Sequence, residues 1–392
     1  MPDDKNNYFL VLTSSNYRKE YITDAIEDLC LPRGYIQHHR YQLKWLKPEL
    51  RGLIPLQKDA ENCDLLGSEL LLAYLYQEKV NDKEYEWKKI LPLRFAKLEH
   101  CYKTGNSDND IAHFYFSLDS HVKPNSKSDA WLNNIVLHHK GSFVFAPDKA
   151  EKKDPGLPAH VKEKQDKSAF IETCDLFFKD KEDYFKSPDK KLVYTPIFCY
   201  LSGIRDGNDN LVPPKLFIGR RKSYYELYEG NLYYLEYHTY FPKDPKKYKI
   251  EVKTDERAFS NDKVYTVESD CRYDEDIVPL TPFLRDHEVS SVIEFTMKYN
   301  ENEPDKVPLE LRILLGVNVR KSALYRNYKI CGDILPVIGV ALLSFAAGIY
   351  QTDKVLFYVF LSIGIVNMLA GIMFKVIYAN WGLPKKIGGQ NG

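Results

Sequence analysis

Residues 334–350 read ILPVIGVALLSFAAGIY, and residues 355–374 read VLFYVFLSIGIVNMLAGIMF. The first stretch runs for 17 residues and the second for 20, and neither holds a charged side chain. As helices rising about 1.5 Å per residue they reach roughly 26 and 30 Å. The hydrocarbon core of a bilayer is about 30 Å thick. The second stretch fits, while the first is slightly short. It can draw on Ile330–Gly332 or sit where the bilayer is locally thin. A helix in a soluble core rarely lacks a charged face over such a length. The pattern therefore predicts two transmembrane helices in preference to a buried helical pair.

Gln351, Thr352, Asp353 and Lys354 alone separate the two stretches, so they must form an antiparallel hairpin with both outer ends on one side. Arg312, Arg320, Lys321, Arg326 and Lys329 precede the hairpin, and Lys375, Lys385 and Lys386 follow it. An excess of Lys and Arg marks the cytoplasmic flank. Both termini and the body ahead of the hairpin are therefore expected in the cytoplasm, with two spans in the cell inner membrane. Tyr350, Tyr378 and Trp381 sit where interfacial aromatics are expected. Small residues let helices approach closely, and a polar residue in lipid seeks a partner. Ser344, Gly348, Ser362, Asn367 and Gly371 are accordingly candidates for helix packing or for lining a pore. One reading is a hairpin packed on itself as a plain anchor. The other is a homo-oligomer with Ser362 and Asn367 facing a shared centre, because two helices cannot enclose a channel.

The rest of the chain of 392 residues is polar enough to bring the mean hydropathy to −0.43. Apolar residues make up 44% and charged residues 28%, a globular composition that excludes a mainly disordered or collagenous chain. Lys plus Arg equals Asp plus Glu at 55 each, which argues against a surface coated in positive charge for nucleic acid. The 29 Tyr point to abundant strands. Cysteines stand at 30, 63, 101, 174, 199, 271 and 331 with no CxxC, which predicts single buried thiols in a reducing cytosol. The opening MPDDKNNYFLVLTSS has no basic region or long apolar run, so no secretory signal is expected.

Along the body, 8–13 read as a buried strand, and Tyr21, Ala25, Ile26 and Leu29 as a helix ended by Pro32 and Gly34. Residues 35–46 read as strand, and 64–77 (DLLGSELLLAYLYQ) as a helix with a wide apolar face. Residues 90–103 and 111–122 read as a hairpin, and 134–145 as another strand. The charged, proline-containing run 147–168 is the expected linker between an N-terminal α+β domain (1–146) and a strand-rich domain (169–329). The hairpin domain is set at 330–380 and the tail at 381–392. In the second half, alternation predicts strands at 191–205, 216–220, 231–241, 248–254, 263–268, 289–299 and 309–319. The fold class expected is α+β: a strand-rich antiparallel body, a sandwich or barrel in its second half, with a C-terminal two-helix transmembrane hairpin.

No phosphate loop, dinucleotide fingerprint, nucleophile elbow or HExxH motif occurs. No catalytic residue, metal ligand or cofactor is therefore expected. The pairs His38–His39 and His138–His139 fall on opposite strand faces and cannot chelate one ion. His113 and His121 can share a face but lie too far apart along it. DGNDN at 206–210 reads as a turn, since it lacks the spacing of a calcium loop. Two basic stretches are candidate ligand sites. One offers Arg33, Arg40, Lys44 and Trp45, cations beside an aromatic, as a single-stranded nucleic acid requires. The strand period, however, puts Lys44 and Trp45 on opposite faces. The other is the basic turn Arg220, Arg221 and Lys222. A solvated surface is the competing reading of both.

A strand-rich body ending in a tight pair of apolar spans resembles bacterial antiphage membrane effectors, the effector subunit of the Hailong defence system among them. The resemblance rests on the hairpin 334–374, the basic shoulder Arg320–Lys329 and the absence of catalytic motifs, about a tenth of the chain. It implies an oligomeric channel held closed by a DNA oligomer from a partner nucleotidyltransferase. It carries no binding residue across. The function expected is thus a membrane-anchored effector whose body senses a nucleotide or nucleic acid and controls an oligomeric pore. The alternatives are a passive tethered scaffold and an unrecognised membrane-bound hydrolase or nuclease.

Overall fold

The computed structural model describes residues 8–379 except 17–18, 82–83, 124–125, 139–143, 146–158, 161–165, 180–197, 218–221, 241–247, 261–263, 272, 285–287 and 300–309. The chain opens with the buried strand β1 (Phe9–Ser15). Helix α1 (Lys19–Cys30) follows and buries Ile22, Ala25 and Leu29, a stripe at helical spacing. Strand β2 (Ile36–Gln42) leads into one turn of 3-10 helix (Leu43–Trp45) and then α2 (Pro48–Leu53). A second 3-10 segment (Gln57–Asn62) precedes β3 (Glu69–Asn81), β4 (Glu84–Lys103) and β5 (Ile111–Lys123). Helix α3 (Ser126–His138) and the short strands β6 (Val144–Phe145) and β7 (Ala159–His160) complete this half. The sheet runs β2-β5-β4-β3-β1-β6 with β7 beside β5, and all its pairs are antiparallel except β1 with β3.

Two expectations fail here. Residues 69–77, expected in a helix, form β3, and 134–138, expected in a strand, lie in α3. Strand β3 sits between β1 and β4 and is buried on both faces. Leu70, Leu72, Tyr74 and Tyr76 enter the main core. Leu71, Ala73 and Leu75 enter a second core with Phe9, Val11, Phe95 and Leu132. A strand covered on both sides loses its polar alternation. Its unbroken apolar run then imitates the wide face of a helix.

The second half begins with α4 (Asp166–Lys179) and β8 (Phe198–Asp206). Strands β9 (Lys215–Phe217), β10 (Lys222–Tyr228), β11 (Tyr233–Tyr240) and β12 (Tyr248–Lys253) follow. Next come β13 (Val264–Ser269), β14 (Tyr273–Leu280), β15 (Val289–Tyr299) and β16 (Glu310–Arg320). They make a six-stranded sheet, β13-β12-β15-β16-β10-β9, and a three-stranded sheet, β14-β11-β8. Among the described residues the one parallel strand pair of this half is β10 with β16. The sequence reading missed α4, β10 and β14. The run at 206–210 is the expected turn, with Asp209 at a φ of 65°. Of the expected linker, Ala159–His160 pairs with β5 and Asp166–Ser168 opens α4, while 147–158 and 161–165 lie outside the described residues.

One hydrophobic core joins the halves, running from Leu10 and Leu72 to Leu235, Phe295 and Val319. Tyr35 spans the junction: its hydroxyl donates to the Leu314 carbonyl at 3.2 Å, and its ring meets Tyr225. Arg94 is 0% exposed at the same level. Its guanidinium donates to the Asp28 and Leu31 carbonyls at the end of α1 and to the Asp119 carbonyl of β5, and lies over the Tyr200 ring. Helix-end carbonyls lack intrahelical donors and carry partial negative charge, so a buried cation satisfies them. The chain ends in α5 (Ala323–Ile349) and α6 (Lys354–Ala379). The protein is thus α+β and strand-rich, with antiparallel pairing dominant and an apolar two-helix hairpin at its end.

Candidate membrane hairpin and polar clusters

Asn327–Ile349 and Lys354–Ile377 are long and apolar enough to cross a membrane. The hairpin holds itself together through its smallest residues. Gly332, Gly339 and Ala346 of α5 recur every seven residues, as do Gly364 and Gly371 of α6, and all five are buried. A Cβ at Gly339 would come within 2.8 Å of the Gly364 carbonyl oxygen, and one at Gly371 would strike the Pro336 ring. Backbones approach this closely only where side chains are absent. The loop is fixed locally: the Asp353 carboxylate accepts from the Val355 and Leu356 amides at 2.9 and 3.1 Å, capping α6. At the opposite end Lys375 meets Asp333 at 3.9 Å, which brackets the uncharged stretches between charges.

Most other hairpin side chains face outward, Val337 at 69% and Val366 at 63% exposure among them. Ser344 and Ser362 are exposed, and their hydroxyls donate to the Val340 and Tyr358 carbonyls of their own helices. Asn367 donates likewise to the Ile363 carbonyl at 2.9 Å. Gly348 has nothing beside the position a Cβ would take. Of the five candidates, then, Gly371 lies between the two helices and the others lie elsewhere on their surfaces. The signal that finds Gly332, Gly339 and Gly364 is their seven-residue spacing.

In the body, the basic candidates do not converge. Arg33 pairs with Asp119 at 2.6 Å. Arg40 is exposed on edge strand β2, near Asp24. Lys44 and Trp45 do come together. The 3-10 turn ends the strand alternation, and the Lys44 ammonium sits 5.4 Å from the centre of the exposed Trp45 ring. The expected split of these two residues onto opposite faces is thereby corrected. Arg51 flanks this corner, tied to the Leu46 carbonyl and to Asp108. Arg220 and Arg221 lie outside the described residues, and Lys222 opens β10.

His38 and His39 divide as strand geometry requires, while His138, expected in a strand, ends α3. His38 faces outward, stacked on Tyr115 with Nε2 3.0 Å from Nδ1 of His113. His39 faces the core beside Asp28 at 3.4 Å. Burial opposes a charge on His39, but Asp28, Asp24 and Glu27 outweigh it and raise its pKa to about 9. Burial also raises Asp24 to about 6, with Asp28 and Glu20 adding repulsion. A bulge in β5 between Leu118 and His121 turns His121 to the core against Phe170 and Tyr200, so it shares no face with His113.

Glu236, His238 and Glu275 are the one trio of possible metal ligands among the described residues, their donor atoms within 4.8 Å of one another. Sequence reading missed it because β14 supplies Glu275 from a separate strand. The period-two pair Glu236–His238 was the visible half. A bulge at Gly203, with φ 131°, sets the register of Glu236 against β8. The trio is already neutralised: Arg205 holds Glu236 at 3.1 Å and Lys167 holds Glu275. His238 lies 3.6 Å from Glu236 through Nε2 and 3.6 Å from Glu275 through Nδ1. Burial lowers its pKa, with Lys167 adding to the effect. The arrangement is a charge network tying α4 to β11 and β14.

The joint between body and hairpin is built most tightly. Lys321 and Ser322 alone separate β16 from α5. Arg320 lies 3.5 Å from Glu226 of β10, and its carbonyl accepts from the Glu229 amide at 2.8 Å. Glu226 also takes a proton donor from Tyr228 and an ion pair from Lys215. Burial opposes its ionisation, but these partners together hold its carboxyl below the usual range. Glu229 caps the Leu284 amide at 3.1 Å. No family model matches the chain, and no curated protein matches it.

Proposed function

We propose that this chain is a membrane effector, with a cytoplasmic body that senses a ligand and a lipid-embedded hairpin that the body controls. Both termini lie in the cytoplasm of a bacterial cell, and several copies assemble to form the pore. The observation that carries the proposal is the joint. A strand in the interior of a sheet runs into the first membrane helix across two residues, clamped by Glu226 and Glu229. A displacement of β10 or β16 therefore reaches α5 without slack. The outward apolar surface of the hairpin leaves room for neighbouring copies as well as lipid. Lys44 over Trp45 offers the cation and stacking face that a nucleotide or oligonucleotide from a partner nucleotidyltransferase takes. A ligand acts only through a difference in affinity between two states of the body.

The test is membrane potential in cells induced to make the protein. The full chain is expected to depolarise them. Removing residues 334–374 abolishes this, and four Gly-Ser residues inserted after Lys321 abolish it while the protein stays in the membrane fraction. Depolarisation unchanged by either alteration would overturn the proposal.

A second reading, a passive tether, draws on the polar residues of the spans, which satisfy themselves on their own helices. An unrelated two-span anchor in place of 334–374 preserves function under that reading and destroys it under the first.

A further inference from the structure

Cys63 follows the second 3-10 segment, and Cys101 lies in β4. Their Sγ atoms are 3.0 Å apart, about 1 Å beyond an S–S bond. They are 38 residues apart in sequence, which hid the pair from motif reading. The side chains are buried together, yet Asn62 and Asp64 on either side of Cys63 are exposed. Cys63 is 7% exposed and Cys101 0%, so Cys63 is the sulfur nearer to solvent. Either thiol can donate across this contact, and the arrangement in which Cys101 donates favours the Cys63 thiolate, the nucleophilic form.

We propose that Cys63 and Cys101 are a reversible dithiol–disulfide site that takes a peroxide as its two-electron oxidant. The Cys63 thiolate attacks one peroxide oxygen, the O–O bond breaks, and the hydroxide that leaves takes up the proton Cys63 shed and becomes water, giving a sulfenic acid on Cys63. The Cys101 sulfur then attacks the Cys63 sulfur. The S–O bond breaks, and the hydroxyl departs as water with the Cys101 proton. Two thiols are oxidised and one peroxide is reduced to two waters. Cys30, Cys174 and Cys199 are 0% exposed, so a peroxide does not reach them. The new bond ties the 3-10 segment and its loop to the centre of the first sheet. It rests on no reading of the hairpin.

The experiment treats the detergent-solubilised full chain with hydrogen peroxide, alkylates free thiols and maps peptides by mass spectrometry. The expected product joins the Cys63 and Cys101 peptides, lacks two hydrogen atoms and returns to free thiols with dithiothreitol. The unfolding temperature rises by a few degrees on oxidation and falls back on reduction. In Cys101→Ser the sulfenic acid on Cys63 persists and is captured by dimedone. Recovery of both residues as alkylated thiols while exposed Cys271 is oxidised would overturn the proposal. So would a disulfide from Cys63 to any other cysteine.

Discussion

His39 shows how a single buried residue ties stability to pH. Three carboxylates around it hold the imidazolium against the cost of burial, so the folded protein binds this proton more tightly than the unfolded chain does. With the pKa raised from 6.5 to about 9, its contribution is complete below pH 6.5 and is lost as pH rises through 9. Thermal unfolding of the solubilised chain is therefore expected to show stability falling between these limits by an amount on the order of 3 kcal/mol. His39→Gln flattens that part of the profile. A profile with the same slope in the variant would contradict the account. Strand alternation at 38–39 made the opposite orientations of the two histidines legible. The Asp28 partner was not, because α1 supplies it.

At the scale of elements, β3 and the hairpin carry opposite lessons about what a pattern reveals. Leu71 and Leu72 are neighbours in sequence but lie in different cores. Truncating either to Ala is expected to cost about 2–5 kcal/mol, measured by chemical unfolding. If one of the two were near neutral, β3 would not be covered on both sides. Periodicity failed here because burial on both faces erased it, and failed at 134–138 because the short apolar end of α3 reads equally as strand. It succeeded at 90–122, where the hairpin loop is polar and the strands alternate, and at β11, where the expected span 231–241 contains Tyr233–Tyr240. The apolar spans were legible because no charge interrupts them over 17 and 20 residues. The small residues that join them were only partly so. Gly339→Leu is expected to separate α5 from α6 and lower the unfolding temperature, while Gly348→Leu, with open space beside it, leaves it unchanged. Equal effects from the two substitutions would contradict the packing described.

For the whole molecule, the main core runs through both halves of the body, and two residues separate its last strand from the apolar hairpin. The orientation proposed follows from Lys and Arg at both outer ends of the hairpin and only Lys354 and Asp353 in its loop. Cys271, exposed on the body, is a built-in reporter of that orientation, and Thr352 in the loop accepts a second one. The most direct measurement is labelling of intact spheroplasts with a membrane-impermeant maleimide. A Thr352→Cys variant is expected to label at residue 352 from outside, with Cys271 labelled only once the inner membrane is permeabilised. Labelling of Cys271 in intact spheroplasts, or recovery of the full chain in the soluble fraction without detergent, would contradict the account.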